Sequence, residues 1–129
     1  MKMNLKLSQK MIRAYCTEVQ HHQLFTISKK DVVAYADLTG DKNPVHIEQN
    51  IVHGTYLLGL VSSVIAKNYS GSKLVDLQAK FGNPCIAKTS VQVEVSMPNK
   101  TRKLTSAPFS IRDAETRNIL VSGKVKILL

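Results

Sequence analysis

Asp41 and His46 stand five residues apart in the run Gly40-Asp41-Lys42-Asn43-Pro44-Val45-His46, and Ile51-Val52-His53-Gly54 follows closely. A carboxylate and an imidazole are well suited to moving protons near neutral pH. The Asn43-Pro44 turn between them lets two short side chains converge on one point. Gly54 then opens a long apolar helix, and the unpaired amides of a helix N-terminus favour developing negative charge. An acid/base pair beside an anion site points to proton chemistry next to a carbonyl group.

The flanking sequence contains elements able to hold these residues in place. Ser28-Lys29-Lys30-Asp31 has the form of a capping box, with Asp31 in place of the usual Glu. Val32, Val33, Tyr35, Ala36 and Leu38 continue it as a short helix, which Gly40 can end in a left-handed cap. The Asp41 motif therefore begins where this helix stops. From Gly54 to about Asn68 the chain is apolar on nearly every helical face, which predicts a helix wrapped by the rest of the protein, ended by Ser70-Gly71-Ser72.

The remainder reads as antiparallel sheet. Val91, Val93, Val95 and Met97 alternate with Gln92, Glu94 and Ser96 at a period of two. Pro98-Asn99-Lys100 turns into a strand over 102–112, and Asp113 to Arg117 turns into another over 119–128. Residues 73–81, ended by Gly82-Asn83-Pro84, form a further strand. Upstream, 10–19 and 24–27 are expected as strands, with His21-His22 as a polar turn between them. The reading is a single α+β domain over residues 1–129, a curved sheet around a central apolar helix.

Composition bounds the setting. A chain of 129 residues, 43% hydrophobic and 21% charged, is long enough for one real core and is ordinary for a soluble globular domain. The most apolar stretch, Thr55 to Ala66, is too short to cross a bilayer, and no signal peptide is visible. Cys16 and Cys85 have no metal-ligand spacing and read as free thiols in a reducing cytoplasm. The balance of 18 Lys and Arg against 9 Asp and Glu leaves a formal charge of +9. The bases are scattered, with one denser group at Lys100, Arg102 and Lys103. Such a field is either plain solvated surface or one that attracts polyanions, a nucleotide-bearing cofactor or an acidic carrier protein. Without aromatic interleaving or a nucleic-acid motif, nucleic acid is not the expected partner.

Together the Gly40–His46 motif and the Ile51–Gly54 helix start resemble the signature of MaoC-like (R)-specific enoyl-CoA hydratases, which have the hot-dog fold. The resemblance extends to the helix over Phe25–Leu38 and to the strands from Leu74 to Val95, including Phe81-Gly82-Asn83-Pro84. It implies that Asp41 and His46 are the catalytic pair, adding water to the β-carbon of a trans-2-enoyl thioester and returning a proton at the α-carbon. The reverse reaction would dehydrate an (R)-3-hydroxyacyl thioester. It also implies the Gly54 amide as oxyanion donor, Ser62 as a helix serine near the site, and Asn43 as the residue that holds the turn. No metal and no redox cofactor are implied. The implied partners are acyl-CoA or an acyl carrier protein and, because hot-dog sheets pair edge to edge, a second copy of the chain. Thioester hydrolysis and non-catalytic thioester binding are the alternatives that the fold also admits.

Several residues carry a plainer reading beside the chemical one. His53 reads as a hydrogen-bonding residue at the helix start rather than a second base. Ser62 can equally back-bond its own helix. Cys85 lacks an evident activating base and is not expected as a nucleophile. The sequence also departs from the family pattern. Only Ile47, Glu48, Gln49 and Asn50 separate His46 from Ile51, where the family has a markedly longer segment, and Ala87-Lys88 replaces the usual Gly-Asp. A short segment there implies a reduced wall for the acyl pocket.

Overall fold

The structure, a computed structural model, describes residues 18–99 and 101–129. Of the strand expected over 10–19, only Glu18 and Val19 fall among the described residues, where they open β1 (Glu18–Thr26). Lys2, Lys6, Lys10, Cys16 and Lys100 lie outside them.

Four further strands follow: β2 (Lys73–Phe81), β3 (Ser90–Pro98), β4 (Leu104–Asp113) and β5 (Ile119–Leu128). They form one sheet in the order β1-β3-β4-β5-β2, with every neighbouring pair antiparallel. The period of two in β3 places Val91, Val93, Val95 and Met97 in the core and leaves Gln92, Glu94 and Ser96 on the other face.

The first helix, α1 (Lys29–Thr39), has the capping box in full: the Asp31 amide donates to Ser28 Oγ, and the Ser28 amide donates to the Asp31 carboxylate. Gly40, at φ 79°, closes it by donating to the Ala36 carbonyl, a conformation that side-chain-bearing residues seldom adopt. A four-residue helix, α2 (Pro44–Ile47), then stands where the sequence suggested only a turn. The long helix α3 (Gly54–Asn68) packs on the concave face of the sheet through Leu57, Val61, Val64 and Ile65, each buried side chain worth about 1.5–3 kcal/mol.

Two expectations need correction. The helix α3 is not enclosed on every side, because Thr55, Gly59, Ser62 and Ala66 form an exposed stripe of small side chains within this chain. His21 and His22 are not in a turn. They sit in mid-strand, paired with Val95 and Glu94 of β3. Alternation sends them to opposite faces, His21 to the Tyr69 hydroxyl at 2.8 Å and His22 to Glu94 at 3.5 Å.

Candidate active site

Two successive side-chain turns build the first half of the site. The Asn43 amide donates to Asp41 Oδ1 at 3.3 Å, and the Val45 amide donates to Asn43 Oδ1 at 3.2 Å. Each is an Asx turn, the local hydrogen bond these residues favour, and Asn43 thereby caps α2 with Pro44 at its first position. Holding Asp41 by Oδ1 leaves Oδ2 available, and it lies 3.7 Å from His46 Nε2. The Asp41 carboxylate is half exposed while the His46 ring is only 14% exposed.

The His46 tautomer follows from its other nitrogen. His46 Nδ1 lies 2.8 Å from the Ile51 carbonyl, which can only accept, so Nδ1 carries the proton. In the neutral ring, Nε2 is then a bare lone pair facing the acid. The short 47–50 segment makes this bond possible by returning the chain sharply. The Ile51 amide donates to the Val45 carbonyl at 3.1 Å, Asn50 takes φ 60°, and Lys29 Nζ donates to the Ile47 carbonyl.

The second half of the site comes from the loop after β2. Val52 donates to the Cys85 carbonyl and Ala87 to the Asn50 carbonyl, both at 2.8 Å, with Ile51 and Ile86 bridged between them. These bonds hold Phe81–Cys85 against the Asp41 loop and enclose a cavity of about 360 Å³. Asp41, His46 and Gly54 all line it, opposite Phe81, Pro84, Cys85 and Leu120. No carbonyl among the described residues accepts from the Gly54 amide at the start of α3. Burial pushes the Cys85 thiol up to about 11, so it stays protonated and serves as an apolar wall.

Asn43 and Ser62 do not line the cavity. Asn43 is spent on the turn, and Ser62 lies on the exposed stripe of α3, two turns along from Gly54. The walls contributed by Phe81, Cys85 and Leu120 were not read from the sequence as site residues. The second Asn-Pro turn, Asn83-Pro84 at the end of β2, was their one visible signal.

His53 completes the cluster. Its ring stacks on His46 with centroids 3.7 Å apart and planes 22° from parallel, and it is 1% exposed. One ligand-capable atom from each of Asp41, His46 and His53 lies within 4.8 Å of the others. The lone pairs of stacked imidazoles run side by side instead of converging on an ion, so the cluster suits proton movement better than chelation.

A model of the MaoC-like domain matches residues 12–118. The chain belongs to the MaoC-like domain family. A relative from Methylorubrum extorquens, a 3-hydroxybutyryl-CoA dehydratase, is 29% identical to this MaoC-like protein over 103 residues, 67% of this chain and 66% of that protein. The chain thus spans about two-thirds of the length of the curated relative it matches. Among solved structures, an (R)-hydratase from A. caviae involved in PHA biosynthesis has a TM-score of 0.79 at 21% identity, covering 90% of this chain and 98% of that one. An unliganded R-hydratase from Pseudomonas aeruginosa has the same TM-score and identity, covering 90% of this chain and 83% of that one. These neighbours share the hot-dog fold expected from the sequence.

Proposed function

We propose that this MaoC-like protein reversibly hydrates trans-2-enoyl thioesters to (R)-3-hydroxyacyl thioesters. The observation that carries the reading is the opposition of His46 Nε2 to Asp41 Oδ2 in a largely apolar cavity beside the Gly54 amide. A water held between the two side chains loses a proton to Nε2 as its oxygen bonds to the β-carbon. The π electrons move to the thioester oxygen, where the N–H of Gly54 at the positive end of α3 receives the charge. Collapse of the enolate takes one proton back at the α-carbon, so the net addition is one water and the pair returns to its starting state.

The +9 charge suits a phosphate-rich CoA or an acidic carrier, and salt should weaken that attraction. The chain acts as a homodimer in this reading. Among the described residues strand β2 is a sheet edge that exposes Leu74, Val75 and Phe81, the kind of edge proteins cover by pairing. Among the described residues, no helix is long and apolar enough to cross a membrane.

Incubation with crotonyl-CoA tests the reaction. Formation of (R)-3-hydroxybutyryl-CoA supports it. Release of free CoA would make the protein a thioesterase, and saturable binding without turnover would make it a thioester-binding module.

A further inference from the structure

His53 lines the same cavity and touches both members of the Asp41–His46 pair. As the N-cap residue of α3 it makes no side-chain capping bond. Its Nε2 instead lies 2.9 Å from the Asp41 backbone carbonyl. A carbonyl only accepts, so Nε2 carries the proton and His53 is in the opposite tautomer to His46. Among the described residues its buried Nδ1 has no hydrogen-bond partner. A second proton there would therefore have no acceptor among the described residues. The ring stacks on His46 and also meets Tyr35 of α1 in a tilted contact, with ring centroids 4.8 Å apart and planes 59° from parallel. Tyr35 is itself fixed by donating to Thr55 Oγ1 at 2.7 Å and by an edge contact with Tyr56.

We infer that His53 is a positioning residue that works in two ways, resting on the hydration reading above. Its N–H holds the Asp41 backbone, and so the separation of acid from base. Its neutral π face lies against His46 and stabilises the imidazolium that forms when Nε2 takes the proton of water, as an aromatic face does for a cation within about 6 Å. The other titratable groups around it are Tyr35 from α1, Asp41 from the loop after α1, Tyr56 from α3 and Cys85 across the cavity. Lys29 of α1 is occupied by the Ile47 carbonyl.

Two substitutions separate the two actions. His53→Gln keeps an N–H where Nε2 stood and removes the π face. The expected result is a fall in kcat of roughly tenfold or more with little change in KM, and an acid limb of the pH–rate profile displaced to lower pH. His53→Phe keeps the stack and removes the donor, so kcat falls with the acid limb in place. Folded variants that both retain kcat and the wild-type profile would overturn the inference. The wild-type protein supplies an arm that needs neither folding of a variant nor turnover. In a 15N NMR titration of the imidazoles, His53 should remain the neutral Nε2–H tautomer while His46 takes up its proton. A His53 that protonates together with or before His46 would overturn the inference. Absence of hydration in the unmutated protein would instead count against the proposed reaction, leaving the NMR result to stand by itself.

Discussion

The phenyl ring of Phe81 occupies the space that a side chain at position 54 would need: a Cβ built on Gly54 lies 2.5 Å from Phe81 Cε1. Glycine at the head of α3 thus lets a ring from the end of β2 lie on the helix start, beside the amide proposed to receive the oxyanion. Substitution at 54 meets Phe81 before it meets any substrate. Phe81 is 53% exposed, so its ring can swing away, and the direction it leaves determines what happens to the cavity.

Gly54→Ala should therefore reduce kcat/KM by about tenfold or more while altering stability by under ~1 kcal/mol, because Ala favours the helix as it displaces the ring. Adding Phe81→Ala should recover part of the loss. Steady-state kinetics and urea midpoints on the two single variants and the double variant check this. Equal losses in both backgrounds would show that the two positions are not coupled.

Asp41→Asn and His46→Ala should each lower hydration by roughly 10²–10⁴-fold, the usual contribution of acid/base assistance, with the fold intact. Crotonyl-CoA turnover together with circular dichroism of each variant provides the test. A folded variant with near wild-type turnover would remove the pair from the mechanism.

Gly123 in β5 leaves no room for a side chain, since a Cβ there would lie 1.9 Å from the Gln78 carbonyl oxygen of β2. Backbone cannot swing aside as the Phe81 ring can. Gly123→Ala should cost at least ~2 kcal/mol, in the range of overpacked cores, and shift the urea midpoint accordingly. An unchanged midpoint would mean that the β2–β5 pairing is looser than described.

The α1 cap makes stability depend on acid. Hydrogen bonds from the Ser28 amide and then its hydroxyl hold the Asp31 carboxyl below its ordinary value of 3.8. A lowered folded value means stabilisation that is present above pH 3.8 and lost as pH falls through the folded value. Ser28→Ala should cost ~1 kcal/mol at pH 7. The stability gap between wild type and Asp31→Asn should close on acidification, read from urea midpoints at pH 7 and in strong acid.

The Cys85 thiol gives the opposite sign. Its folded value of about 11 exceeds the ordinary 9.0, so its contribution is intact below pH 9.0 and is lost as pH rises toward 11. In a Cys16→Ser background, native protein at pH 8 should react with a thiol reagent far more slowly than protein unfolded in urea. Immediate stoichiometric labelling would place Cys85 at an open surface.

Sequence alone determined the features that depend on neighbours a few residues away. The Ser28–Asp31 box, the left-handed Gly40 cap, the turn made by Asn43 and the alternation of β3 are each closed by contacts within a handful of positions, so residue type and spacing suffice. The identity of Asp41, His46 and Gly54 as site candidates was legible for the same reason, as members of one short motif. The rest depended on long-range register. Phe81, Cys85 and Leu120 reach the cavity because β2 pairs with β5 and because 50–52 is bonded to 85–87. Ser62 looks equivalent to its neighbours in sequence, yet the side of α3 that meets the sheet leaves it exposed. The two mid-strand histidines of β1 were hidden by their polarity, which an edge strand tolerates once β3 supplies its hydrogen bonds. The stack of His53 on His46 has no sequence signature, because ring against ring is set by how α1, α2 and the start of α3 close on one another in space.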